Sequence, residues 1–247
     1  MHINIPDYIK QIRIDVGLAG EAPNSALWLS ETTDRFVIGI EPLERHWKDL
    51  HSYTQTDRPY PNFKMLQLDR DAVTLNNEVV CKIDGRFLEL HAAIDNIPEP
   101  QLRSFYEIEQ KGGSSGSSSL LRPTPEHPYK VEKIISVETF SLEDLLNKID
   151  WNRFKYIEHI KTDCEGKDFD AVVSIGKYLD NIVFISSEAT SNGQYWYGSQ
   201  SNLAFENYMI NRGFQIIGRG NGNLDFVNPK FNDIIIRDKL TNHTFGA

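Results

Sequence analysis

Apolar and polar positions alternate between strand-like and helix-like spacing along most of the chain. Ile12, Ile14 and Val16 are separated by polar residues and stop at Gly17, the pattern of a short strand. Pro23 stands where a helix favours its first residue, and Ala26, Leu27, Trp28 and Leu29 follow. The near-continuous apolar run over 36–40, closed by Glu41 and Pro42, predicts a buried parallel strand. Leu43, Trp47 and Leu50 then recur at helical spacing. Strand, helix, strand, helix in this order is a βαβ unit and its continuation.

The middle is less regular. Residues 78–83 and 87–94 read as strands joined by an Asp84-Gly85 turn. Residues 98–131 hold Pro98, Pro100, Pro123, Pro125 and Pro128, and the Gly/Ser tract from Lys111 to Ser119. This composition predicts either a flexible surface linker or a mobile lid over a site. Pattern returns after Val131. Ser141 with Glu143 and Asp144 signals the capped start of a helix over 142–149. A strand over 156–162 runs into Asp163-Cys164-Glu165-Gly166, and Phe169, Val172, Val173 and Leu179 mark an amphipathic helix. A buried strand over 182–185 ends near Glu188, a helix over 201–212 is closed by Gly213, and strands over 214–217 and 224–227 finish the chain. The whole predicts one α/β domain over 1–247: a Rossmann-like, doubly wound sheet, mostly parallel with an antiparallel C-terminal strand, and a lid or insertion at about 98–131.

Composition narrows the function classes. The 247 residues are 40% hydrophobic and 25% charged, an ordinary globular mix. Lys and Arg number 26 against 35 Asp and Glu, a net charge of −9, which argues against a protein that coats nucleic acid or an anionic membrane. No apolar run approaches the roughly 20 residues of a membrane span. The N-terminal residues lack a basic stretch followed by an apolar one, so no signal peptide is expected. Cys81 and Cys164 form no C-x-x-C, which leaves reduced thiols and a cytoplasmic location as the expectation.

In doubly wound sheets ligands bind beyond the carboxyl ends of the strands. Those ends carry Asp15 and Gly17, Glu41, the segment near Ala93, Asp163 to Glu165, and Glu188. The turn Asp15-Val-Gly-Leu-Ala-Gly20 joins a strand to a helix start, where Gly17 and Gly20 let a ligand approach the backbone. Glu41, at the end of the next strand, is placed to hold the hydroxyls of a ribose. Position 19 is Ala, so the turn lacks the G-x-G-x-x-G of dinucleotide enzymes. Asp15 would repel a pyrophosphate and suit the ammonium of a methionine moiety. The adenosine ligand expected is therefore S-adenosyl-L-methionine. Of the seven histidines, His46 and His51 sit on one predicted helix at a spacing of five, which is not that of a metal pair. Tyr195, Trp196 and Tyr197 read either as an acceptor-binding wall or as a hydrophobic plug.

Five segments in one order carry a family resemblance. They are Ile14 to Gly20, Val37 to Pro42, the Ser-Ser-Ser-Leu120 tract, Val137 to Leu146, and Ile160-Lys-Thr-Asp-Cys-Glu-Gly166. Over roughly 12–228 the chain resembles the FkbM-type S-adenosylmethionine-dependent methyltransferases. The resemblance implies a class I methyltransferase fold and O-methylation of a hydroxyl on a small molecule, sugar or glycan. The acceptor is then a small molecule or carbohydrate, with neither nucleic acid nor membrane insertion expected. Cofactor contacts are expected from Asp15, Gly17, Gly20, Glu41 and Ala93, and chemistry from Asp163, Glu165 and Glu188. Three roles stay open for Asp163: general base, ligand of a divalent cation with Glu165 or Glu188, or structural cap of the following helix. Two other readings stay open for the chain, a catalytically silent binding module and an NAD-dependent oxidoreductase.

Overall fold

A computed structural model describes residues 3–20, 22–52, 72–74, 80–109, 116–189, 194–220 and 222–235. The chain begins with β1 (Gln11–Val16), α1 (Pro23–Glu31), β2 (Arg35–Ile40) and α2 (Glu44–Ser52). Three strands follow, β3 (Ala72–Thr74), β4 (Val80–Asp84) and β5 (Phe87–Leu90). Then come β6 (Ala93–Ile94), β7 (Gln101–Ile108), β8 (Val131–Phe140), α3 (Leu142–Leu146), β9 (Ile157–Thr162) and α4 (Asp168–Val173). The chain closes with β10 (Ile182–Glu188), α5 (Asn202–Asn211), β11 (Gln215–Gly220) and β12 (Asn223–Val227).

The main sheet has the order β11-β12-β10-β9-β1-β2-β5-β4-β3. Strands β10, β9, β1, β2 and β5 run parallel, and β12 returns antiparallel against β10. This is the doubly wound, mostly parallel α/β sheet with an antiparallel C-terminal strand that the apolar pattern predicts. Every residue of β2 is buried, because helices cover both faces of a parallel sheet. Ile12, Ile14, Ile38, Leu88, Ile160 and Ile185 join one core with α3 and α5 residues such as Leu145 and Phe205. Side chains of the opposite strand parity meet α1, where Val37, Leu29 and Trp28 pack together. No helix among the described residues is long and apolar enough to cross a membrane.

Four expectations need correction. The strand predicted over 87–94 ends at Leu90, and Ala93–Ile94 belongs to a second, three-stranded sheet of order β6-β8-β7. That sheet draws β7 from the segment read as linker or lid. Gln101–Ile108 alternates weakly and is mostly exposed at its start, which hides it from a periodicity count. Of the Gly/Ser tract, 111–115 lie outside the described residues, while Ser118 and Ser119 are buried and Ser119 bridges Tyr106. The helix predicted over 142–149 starts at the Ser141–Asp144 capping box as expected, but its α-helical turns end at Leu146. The helix after Gly166 is α4 followed by a 3-10 turn, Gly176–Asn181, interrupted where Gly176 takes a φ of 60°.

Candidate active site

The carboxyl ends of β1, β2, β5 and β9 open into one cavity of about 250 Å³. Gly17 and Ala19 form one wall, Glu41 to Leu43 with His46 the next, and Ala92 to Ile94 a third. Asp163, Cys164, Glu165 and Lys167 stand after β9. Phe105 of β7, residues 116–118 and Leu120 close the remaining side. The second sheet thus supplies a wall to a site whose other walls come from the first.

Glu41 organises the turn after β1. Its Oε2 accepts the Ala19 N–H at 3.0 Å and its Oε1 accepts the Leu43 N–H at 2.8 Å. His46 Nδ1 lies 3.2 Å from the same Oε1. A carboxylate offers about four acceptor positions, so one remains on Oε2 for a ligand. Gly17, with φ of 81°, is demanded by packing: a Cβ there would stand 2.0 Å from the Asp163 carbonyl oxygen. Ala19 adopts a left-handed φ of 51°, the conformation in which its N–H meets Glu41.

Behind the turn sits a buried charge cluster. Lys161 Nζ donates to the Gly17 carbonyl at 3.0 Å and pairs with Asp15 Oδ1 at 3.5 Å and Asp163 Oδ2 at 3.4 Å. Burial pulls the Lys161 amine down, but Asp15 and Asp163 outweigh it and its pKa is raised. Asp15 is buried, which pushes its carboxyl above the ordinary value despite Lys161. Its Oδ2 accepts the N–H and hydroxyl of Ser25, and Asp15 does not line the cavity. The sequence pattern pairs Asp15 with a methionine ammonium. In the structure its cation is the protein's own Lys161.

The acidic wall has unequal members. Asp163 keeps 45% of its side chain exposed and accepts no backbone N–H among the described residues. Among the described residues no side chain caps α4: its N-cap residue is Lys167, and the Asp168 Oδ1 instead accepts the Cys164 N–H at 3.0 Å, bracing the turn between β9 and α4. Burial, then the charge of Asp163, pushes Asp168 up to about 7. Burial, then Asp163 and Asp168, pushes Glu165 up to about 8. Glu165 is held in a left-handed φ of 50° while Ser119 Oγ donates to its carbonyl at 2.7 Å. Burial and the same two aspartates raise the Cys164 thiol well above its ordinary value, which keeps it protonated at neutral pH. Carboxylate oxygens of Asp163, Glu165 and Glu188 lie within 4.8 Å of one another.

Glu188 reaches that group from a small neighbouring pocket of about 20 Å³, where it is joined by Phe169, Asn202 and Phe205. Gly17, Glu41, Ala93, Asp163 and Glu165 share the main cavity; Gly20, Asp15 and Glu188 are not among its walls. Trp196 is fully buried against Gly166, with its Nε1 3.4 Å from Glu165 Oε2, so it is a plug under the site. Tyr197 is exposed. Main-chain bonds from Thr124 to Tyr195 and from Tyr197 to Arg122 pin the two loops together.

Sequence reasoning misses His46, Lys161, Phe105 and Leu120 as parts of this site. His46 is legible, since positions 43, 46, 47 and 50 share one helical face. Phe105 and Leu120 are not, because nothing local says that the second sheet folds over the first.

Among solved structures, the chain is similar to the methyltransferase FkbM from Methylobacillus flagellatus KT, at 13% identity and a TM-score of 0.47. The match covers 89% of this chain and 44% of that one, so the chain spans less than half of that protein's length. No family model matches the chain. No curated protein matches it either. The strand order and directions given above establish the fold.

Proposed function

We propose that the chain is an S-adenosyl-L-methionine-dependent methyltransferase acting on a hydroxyl of a small molecule or carbohydrate. The observation that carries this reading is the meeting of Glu41 with Asp163 and Glu165 around one cavity at the strand ends. Glu41 has an acceptor position for a ribose hydroxyl. Asp163 places negative charge where a pyrophosphate would be repelled and a sulfonium favoured, which speaks against a dinucleotide. The cofactor, when bound, supplies a methyl group on a sulfonium whose departure leaves a neutral thioether.

The protein's own residues then bind, orient and move a proton. Gly17 and Ala19 bring the backbone close to the ligand, and Glu41 holds the ribose. Glu165 is the base in this reading: a carboxyl near pKa 8 matches a working pH around neutrality. With cofactor and acceptor bound, Glu165 would take the proton of the acceptor hydroxyl. Asp163, exposed to the cavity, stabilises the positive centre. The same donor set of Asp163, Glu165 and Glu188 also suits a magnesium-class cation, which would take over the activation of the hydroxyl.

Calorimetry with S-adenosylhomocysteine tests the reading. Binding to the wild-type chain is expected, with no binding of NAD, and Glu41→Ala should weaken it about tenfold or more. Absence of S-adenosylhomocysteine binding overturns the proposal. Repeating the titration with magnesium and with EDTA separates the base from the cation: only a cation site responds.

A further inference from the structure

Among the described residues His46 is the one histidine that lines the cavity, and the reading above does not use it. It sits in the first turn of α2, with only 3% of its side chain exposed. Its Nδ1 faces Glu41 Oε1 at 3.2 Å. That approach is close but does not meet hydrogen-bond geometry, and Nε2 is likewise buried with no hydrogen-bond partner among the described residues. A buried ring nitrogen left unpaired beside a cavity is costly unless a ligand completes it.

Chemistry settles what that nitrogen offers. A lone pair on Nδ1 would oppose the carboxylate, so in the neutral ring the proton sits on Nδ1 and Nε2 is an acceptor. Position settles which part of a ligand it meets. On Glu41, Oε2 faces the Ala19 turn and carries the free acceptor position, while Oε1 faces Leu43 and His46. Leu43, Ala93, Phe105 and Leu120, which line the cavity with His46, belong to one packed apolar cluster. The ribose therefore lies at Oε2, and a flat base fits between the apolar walls with its edge toward His46.

We propose that His46 Nε2 accepts a hydrogen bond from the exocyclic amine of a 6-aminopurine and so selects adenosine ligands over their 6-oxo counterparts. The proposal rests on the adenosine-cofactor reading of the same cavity. A 6-oxo group would bring a second acceptor against Nε2 and leave both unpaired, and sites built on a buried hydrogen bond reject such analogues strongly.

The test is calorimetry at pH 8 with S-adenosylhomocysteine and S-inosylhomocysteine. The wild-type chain should favour the adenosine ligand by about tenfold or more. His46→Phe keeps a ring of similar size and removes the acceptor, and its preference should fall to near unity. His46→Gln carries both a donor and an acceptor, so it should keep S-adenosylhomocysteine binding and also accept the inosine ligand. An undiminished preference in either folded variant overturns the role of His46, as does a wild-type chain that binds both ligands equally. A wild-type chain that binds neither overturns the cofactor reading and this inference with it. The wild-type ratio needs no variant, so it decides even if both substitutions fail to fold.

Discussion

Gly17 and Asp163 touch through their backbones across the top of the sheet. The Gly17 φ is 81°, and a Cβ at that position would stand 2.0 Å from the Asp163 carbonyl oxygen, which leaves no room for a side chain. Gly17→Ala must therefore bear left-handed strain and push β1 from β9. We expect a loss of roughly 2–4 kcal/mol in urea unfolding. A loss below about 1 kcal/mol would show that the two turns separate freely.

Lys161→Met leaves Asp15 buried without its cation. Removing one partner of a buried pair costs roughly 3 kcal/mol or more. The Asp15 carboxyl, already raised by burial, rises further in the variant. Above the ordinary carboxylate value the native state then holds a proton that the unfolded state has lost, so stability falls as pH rises. The variant's deficit against wild type should shrink when unfolding is measured at pH 5 instead of 7. A deficit independent of pH would contradict this.

Glu165 and Asp168, pushed to about 8 and about 7, act in the same direction in the wild-type chain. Between about 4.5 and 8 the native state binds more protons than the unfolded state, so stability should decline across that window as pH rises. Glu165→Gln and Asp168→Asn should each flatten the decline, read as unfolding midpoints at pH 5.5 and 8.5. Parallel profiles for the variants and wild type would refute the assignment.

His159 works the other way. Burial first, then Arg13 and Arg35, holds its ring well below the ordinary histidine value, and its Nε2 is 2.9 Å from Ser186 Oγ. The unfolded chain takes up a proton near 6.5 that the native ring refuses, so this group lowers stability as pH falls below that value. The native ring resonances should stay in place from pH 8 to 5 by NMR. A midpoint near 6.5 would mean that the ring is open to water.

Ser119 ties the 116–129 segment to the site by donating to the Glu165 carbonyl and accepting the Leu121 N–H at 3.0 Å. Ser119→Ala leaves both groups without that partner and should cost about 1–3 kcal/mol. Amide exchange should rise in 116–129 while β1 and β2 stay protected. Unchanged exchange there would mean that the pairing with Tyr195 and Tyr197 suffices.

Local pattern determined the frame. The β1–α1–β2 unit, the Ser141 cap, the strand before Asp163 and the C-terminal strand pair were legible, because burial on a sheet or helix face repeats with a period set by backbone geometry. Glu41 and Asp163 followed, since strand ends in such a sheet point at one place. What the tertiary structure alone decided is which neighbours those residues keep. Asp15 has the look of a ligand contact until Lys161, far from it in the chain but beside it in the sheet, neutralises it. Asp168 rather than Asp163 braces the turn after β9, because its carboxylate reaches the Cys164 N–H. The wall of Phe105 and Leu120 depends on β6-β8-β7 folding over the strand ends, and no local period encodes how one sheet packs on another. Chain periodicity reports burial, but charge pairing and cavity walls arise from contacts between segments far apart in the chain.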